Sequence, residues 1–271
     1  MTDSVDASSS GDVQYLDALR LPVAVSRGEL SVGADAVVAN LGLSQVELVD
    51  ADGSGLQARA STILTDVRLR GGPLLAAEPF LAPQADPMDL PRHLRGAGWV
   101  ESLTSAAEQG APHPGDGAPS LLRSPTADLG SLFARPCDFA ETGALSTVLM
   151  RFRLRLTVWF ASAGTDCGVH RDHDFLEHHV QLHGRGRMQK FHERRLDSRY
   201  EEQLLSRGTG QPGLHCSWRV EDDHDDPARV PSPVYPWHQY YADTDCAFAV
   251  IEYHVESLTT GPKAYYPLVT P

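Results

Sequence analysis

Five of the chain's twelve histidines fall between His170 and His183, interleaved with Asp172, Asp174 and Glu177, in the run WFASAGTDCGVHRDHDFLEHHVQLHGRGRMQKF from Trp159 to Phe191. Imidazoles and carboxylates are side chains that hold divalent metals, so this crowding near one strand makes a metal site the first hypothesis. His170-Arg171-Asp172 is an H-x-D pair, and a further isolated histidine follows in Tyr235-Pro236-Trp237-His238. Two histidines and one carboxylate on one face of a site form the facial triad of non-haem Fe(II) oxygenases, which leaves coordination positions open for substrate and oxygen.

The elements around these residues read as strands. In Arg151 to Val158, Arg151, Arg153, Arg155 and Thr157 alternate with Phe152, Leu154, Leu156 and Val158, the period of a strand with one buried face. His178 to His183 alternates as well, with His179, Gln181 and His183 on one side and His178, Val180 and Leu182 on the other. A polar face of this kind suits a strand that lines a wet barrel interior. Ala247 to Val255 supplies a closing strand, and Asp197 to Arg207 reads as an inserted helix, with Ser198 and Glu201 at capping-box spacing and Gly208 after its end.

Upstream, residues 1–12 are polar and Ser-rich and read as a disordered tail. From Val13 to about Ile63, short apolar segments are separated by Gly, Asp and Asn, as strands or short helices joined by turns would be. Leu64 to Phe80 and Pro91 to Ala107 read as partly helical, Pro91 being suited to a helix start. The Gly/Pro-rich stretch Glu108 to Ser120 reads as a loop or lid. The expected organisation is therefore a tail (1–12), an α+β region (13–120) ending in that loop, and a catalytic barrel (121–271).

Composition excludes several classes of function. The chain has 271 residues, 41% of them hydrophobic, enough for a sizeable core. A formal net charge of −13, from 23 basic and 36 acidic residues, argues against a nucleic-acid partner. No N-terminal leader pattern and no membrane-spanning apolar run is present, so no membrane role and a cytoplasmic location are expected. The four cysteines, Cys137, Cys167, Cys216 and Cys246, form no C-x-x-C pair and read as reduced thiols, with Cys167 close enough to His170 to line a site. The acidic run Glu221 to Pro227 lacks the ligand spacing and glycine of a calcium loop and reads as a solvated loop.

The strand Leu154 to Phe160, the Ala-Gly turn, H-R-D at 170–172 and then V-Q-L-H-G-R-G-R together resemble the bacterial cupin-like branch of the Jumonji-C family, and Y-P-W-H-Q at 235–239 resembles its distal histidine motif. The resemblance covers roughly Arg151 to Val255. It implies a mainly β fold, a double-stranded β-helix (cupin or jelly roll) with additional helices, and a hydroxylase that uses Fe(II), 2-oxoglutarate as cosubstrate and O2. By position it implies His170, Asp172 and His238 as metal ligands and Arg185 or Arg187 as the anchor of the 2-oxoglutarate carboxylate, a role suited to a bidentate guanidinium. From the residues themselves, Glu177, Gln181 and Arg155 are expected to point toward the pocket, with His173, His179 and Trp237 in or around it. The spacing from His170 to Gly184 is one step longer than the family pattern, which predicts a bulge, and Pro231-Ser232-Pro233 stands where the family has Gly-Asp.

The same residues admit a rival register. His173, Glu177 and Gly184 match the general cupin motif of H-x-H, three residues, Glu, six residues and Gly, except that its first histidine falls on Arg171, with His170 or His179 as substitutes. A metalloenzyme of that type, a dioxygenase, isomerase or lyase without 2-oxoglutarate, is the alternative, and a metal-free cupin binding module is another. Lone histidines such as His178, His183 and His192, and also His113, His215 and His224, read as surface or hydrogen-bonded groups. A small-molecule or amino-acid-like substrate is expected, with the arginines of Arg151 to Arg155 hinting at a carboxylate. Jumonji-like folds pair through added helices, so a homodimer is consistent with the resemblance, although no sequence signal sets the oligomeric state.

Overall fold

The computed structural model describes residues 13–15, 23–33, 35–51, 54–77, 90–102, 120–135, 139, 149–210, 216–219 and 232–259. The tail 1–12, most of the Gly/Pro-rich loop and the acidic run 221–227 lie outside them, as do His113, His215, His224 and Cys137.

The described part before residue 80 is built from nine strands: β1 (Val13–Tyr15), β2 (Val23–Ser26), β3 (Glu29–Val32), β4 (Ala36–Asn40), β5 (Val46–Leu48), β6 (Gly55–Leu56), β7 (Ser61–Leu64), β8 (Val67–Arg70) and β9 (Leu74–Ala77). They form one sheet in the order β1-β2-β9-β4-β7 and a second in the order β3-β8-β5-β6. The helical reading of Leu64 to Phe80 is thus corrected over its described part. Val67 to Arg70 alternates inward Leu69 with exposed Arg68 and Arg70, and Leu74 to Ala77 is buried at every position. A continuous apolar run this short is ambiguous between helix and strand until its neighbours are known. Here β2, β4 and β9 form the middle of a sheet covered on both faces, and all their residues are buried. The described helix is α1 (Leu90–Gly96), with Pro91 at its start, where a missing N–H costs nothing.

The remaining strands are β10 (Val100–Glu101), β11 (Leu121–Arg123), β12 (Ala127–Ala134), β13 (Leu149–Ala161), β14 (Leu176–His183), β15 (Arg185–Phe191), β16 (Arg199–Ser206), β17 (Ser217–Arg219), β18 (Ser232–Val234), β19 (Trp237–Ala242) and β20 (Cys246–Thr259). One sheet has the order β10-β11-β13-β20-β14, with β12 also pairing β13, and a facing sheet has the order β16-β15-β19. Residues 164–170 extend the second sheet by pairing with β19 through the bridges Asp166↔Tyr241 and His170↔His238. The segment ending at Gly210 extends the first, through the bridge Val180↔Gly210. From β13 onward the chain therefore passes to and fro between two sheets, the winding of a double-stranded β-helix. The fold is mainly β.

Gly184 makes the turn from β14 to β15, where the chain leaves one sheet for the other. Its φ is +67°, and a Cβ there would collide with the Asp245 carbonyl, so only glycine fits. The bulge expected between His170 and Gly184 is found in β14, whose register against β20 shifts between Gln181 and His183.

The expected helix at Asp197 to Arg207 is instead a single 3-10 turn, Leu196–Ser198, followed by strand β16. Pairing with β15 sets Glu201 opposite Lys190, and the two side chains form an ion pair at 2.8 Å. That cross-strand partner outweighs the local capping signal, which saw only neighbours in sequence.

Four sheets stack in layers. Phe152, Leu154, Leu156, Val158 and Phe160 on the outer face of β13 pack against Val23, Val25, Val37 and Leu75 of the first sheet in one apolar core. The other face of that first sheet packs on β3-β8-β5-β6 through Val38, Leu74, Leu30 and Leu69. The N-terminal sheets thus close the outside of the barrel sheet and leave its inner face free to form a site.

Candidate metal centre

The inner face collects polar groups from four segments of chain. His170 and His238 are opposite one another across the antiparallel bridge, each backbone N–H donating to the other's carbonyl at 2.9 and 2.8 Å. A directly opposed pair projects its side chains to one face, and the two rings stand 4.5 Å apart, centroid to centroid. The Nδ1–H of His170 donates to Gly168 O at 2.8 Å and that of His238 to Pro236 O at 2.9 Å, with these tautomers assigned from the carbonyl partners. In each ring the Nε2 lone pair is then left to face the cavity.

His173 enters from the turn that follows His170. Its N–H bonds Arg171 O, and its Nε2 lies 3.2 Å from His238 Nε2. The ligand atoms of His170, His173 and His238 all lie within 4.8 Å of one another, a group able to hold a metal ion. Glu177 opens strand β14 with its Oε1 3.3 Å from His238 Nε2 and 3.9 Å from His173 Nε2. Its backbone N–H donates to the Tyr235 hydroxyl, which in turn donates to Phe175 O, and this fixes the carboxylate where the histidines converge.

The electrostatics fit a cation. Glu177 is buried, and burial by itself raises its pKa; the surrounding His179, His238 and His173 outweigh that and hold the carboxyl well below the usual range. Burial pushes His173 down to about 4, against the opposing pull of Glu177, so the ring is neutral and available as a ligand. Glu177 Oε1 is buried with no hydrogen-bond partner, as are both ring nitrogens of His179, whose Nε2 stands 3.4 Å from Glu177 Oε2 outside bonding geometry. Buried polar atoms are nearly always satisfied, so this concentration of unsatisfied ones calls for a missing partner. His173 Nε2 and His238 Nε2, 3.2 Å apart, share a proton in a hydrogen bond or would share a cation in its place. A transition metal fits these nitrogen and oxygen donors.

The other predicted residues are placed as follows. Asp172 is exposed and outside the cluster, because the turn aims His170 and His173 inward and sends Asp172 and Asp174 to solvent. The expectation of Asp172 as the carboxylate ligand is therefore not met by this arrangement, and Glu177 is the carboxylate at the cluster. Arg185 is exposed and Arg187 is taken up by Asp243 and Glu202. The position between them, Gly186, faces inward, and a Cβ there would collide with the Tyr240 hydroxyl. Strand alternation hence turns both arginines away from the site. Gln181 is buried, but its amide is committed to His183 O and the Tyr240 hydroxyl. Trp237 carries Arg171 over its ring at 4.4 Å, away from the cavity.

The cluster opens into a cavity of about 480 Å³. Its wall includes residues that the sequence reading left out: Arg123, Trp159, Phe248, Glu252 and His254, together with the anticipated Arg155. The inward parity of β13 would have pointed to Trp159, two residues beyond Thr157 on the same face. Tyr235 was visible beside His238, but its role under Glu177 depends on a contact across 58 residues.

No protein-family model matches the chain, and no curated protein matches it. Among solved structures, it superposes on a DMSP lyase at 15% identity and TM-score 0.30, over 63% of this chain and 65% of that one. It superposes on Bacillus subtilis oxalate decarboxylase at 10% identity and TM-score 0.29, over 87% and 69%, and on an RmlC-like cupin protein from Desulfovibrio desulfuricans at 14% and 0.24, over 45% and 81%. The fold assignment rests on the strand order above rather than on these superpositions. Among the described residues no helix is long and apolar enough to cross a membrane.

Proposed function

We propose that the chain is a transition-metal-dependent enzyme of the cupin type acting on a small organic molecule, with His170, His173, Glu177 and His238 as the metal ligands. The observation that carries this reading is the convergence of three imidazoles and one unsatisfied, buried carboxylate oxygen on one point of a cavity. A bound metal of this class supplies Lewis acidity and, for iron or manganese, one-electron chemistry.

The chain's own residues do the rest. Backbone carbonyls of Gly168 and Pro236 hold the two bridging histidines in the ligating tautomer. Glu177 contributes negative charge, and Tyr235 positions it. Phe175, Phe248 and Trp159 line the cavity and limit water around the reacting centre. His254, oriented by Glu252 at 2.7 Å, is an imidazole outside the ligand group with the placement to accept or return a proton at a bound substrate.

A second reading, an Fe(II) and 2-oxoglutarate oxygenase using O2, uses the same His170–His238 pair. It requires Asp172 to turn inward and a carboxylate anchor other than Arg185 or Arg187. The discriminating experiment is calorimetric titration of Mn(II) or Fe(II), under anaerobic conditions for iron, into wild type, His173→Ala and Asp172→Ala. The expected result is loss of binding in His173→Ala and wild-type affinity in Asp172→Ala, with no visible charge-transfer band on adding 2-oxoglutarate to the Fe(II) form. The opposite pattern would move the assignment to the oxygenase triad.

A further inference from the structure

The cavity wall also carries two guanidinium groups, those of Arg123 and Arg155, both exposed. Among the described residues neither makes an ion pair or a hydrogen bond, unlike the neighbouring arginines of β13. Arg151 lies 3.0 Å from Glu256, and Arg153 is bonded to Asp128. The carboxylates nearest to Arg155 are already engaged. Asp128 serves Arg153 and the Gly130 N–H, while Glu252, opposite Arg155 in the sheet, holds His254.

An aromatic surface runs from Arg123 toward the histidine cluster. Arg123 lies over the Trp159 ring at 5.8 Å, Trp159 stacks on Phe248 at 6.3 Å with 4° between planes, and Phe248 stacks on His179 at 5.7 Å. His179 then reaches Glu177 at 3.4 Å. By register, Arg155, Glu252 and Glu177 form one row across three adjacent strands, with the Glu252–His254 pair in the middle and two strand spacings, roughly 10 Å between backbones, separating the ends.

We infer that the substrate is an elongated carboxylic acid: its reacting end sits at His170, His173, Glu177 and His238, its apolar middle fills the cavity walled by Trp159 and Phe248, and its far-end carboxylate is drawn to the positive charge that Arg155 and Arg123 place on the same cavity. This rests on the metal-site reading proposed above. A guanidinium fork matches a carboxylate in plane and charge, and a flat aromatic surface suits a hydrocarbon or ring laid along it. The separation sets a length requirement, so a short diacid cannot engage both ends.

The test is calorimetry on the full chain loaded with Mn(II), using adipate, malonate and hexanoate as probes. Adipate has two carboxylates and the reach; malonate lacks the reach and hexanoate lacks the second charge. Adipate is expected to bind at least about tenfold tighter than either, the scale of one hydrogen-bonded charge. In Arg155→Gln and Arg123→Gln, adipate should fall toward hexanoate while Mn(II) affinity stays at the wild-type value; Arg155→Lys should recover it only in part. Equal binding of the three acids, or adipate affinity untouched in both variants, would overturn the inference while leaving the metal site standing. If Mn(II) does not bind at all, the metal reading falls by itself. Adipate titrated into that metal-free chain then still tests the arginine end: weakening in Arg155→Gln supports it, and no change overturns it.

Discussion

The N-terminal pair of sheets and the barrel are both mainly β and share a core, yet they treat buried polar groups in opposite ways. Inside the N-terminal sheets the polar side chain Asn40 is fully used: its amide donates to Ser44 O, Leu56 O and Gln57 O, and its Oδ1 accepts from Gly42 N. Ser26, buried as well, donates its hydroxyl to Glu29 O, and around them Leu30, Val38, Leu69 and Leu74 are almost wholly buried. The barrel interior instead holds Glu177 and His179 with atoms that find no partner in the protein. A satisfied buried amide specifies a turn and stabilises the fold; an unsatisfied carboxylate among imidazoles is what the proposed cation would satisfy. The contrast separates structural polarity from functional polarity within one chain.

That contrast can be broken most decisively at the proposed metal ligands. His238→Ala is expected to weaken Mn(II) binding by at least about 100-fold, beyond what loss of an outer partner of a ligand costs, and calorimetry or metal analysis of the purified chain reads it directly. Retained stoichiometric metal would erase the distinction drawn here. In the other region, Leu69→Ala should lower unfolding free energy by about 2–5 kcal/mol in denaturant titration while leaving Mn(II) affinity unchanged. Stripping the metal with a chelator should lower stability by about 3 kcal/mol relative to protein held at 100 times its Kd in metal, seen as a fall in Tm that His173→Ala no longer shows.

Smaller effects sharpen the comparison. Asn40→Ala strands several backbone groups and should cost about 1–3 kcal/mol of stability with no change at the metal site. Cys167 lines the cavity, but burial pushes its thiol up to about 12, so it stays protonated and should react with iodoacetamide at pH 8 far more slowly than a free thiol of ordinary pKa. Fast, stoichiometric labelling at Cys167 would contradict the burial of that side chain.

The β character of the barrel was legible where a strand has one apolar face. Phe152, Leu154, Leu156 and Val158 are buried as their alternation predicts. It was not legible in β16, which is exposed at most positions and carries helix-forming residues with a capping-box spacing; its strand form comes from pairing with β15. The same held for the run Leu74 to Ala77, where local pattern does not separate helix from a strand covered on both faces. At the site, crowding of histidines and acids pointed to the segment where His170 and His173 now meet His238. The choice between Asp172 and Glu177 depended on which way a turn aims its side chains, and spacing along the chain does not encode that.

The sequence by itself determined the supply of histidines and acids, the alternating strands that could carry them and an excess of negative charge. Only the tertiary structure decided which of them meet. His170 and His238 face each other because two distant segments share an antiparallel bridge. Glu177 joins them because Tyr235 holds its backbone from across the site, and Arg155 reaches the cavity while Arg185 and Arg187 do not. Residue types follow from local chemistry, but a coordination geometry is a set of long-range distances, and those are fixed by register and by the packing of one sheet on another.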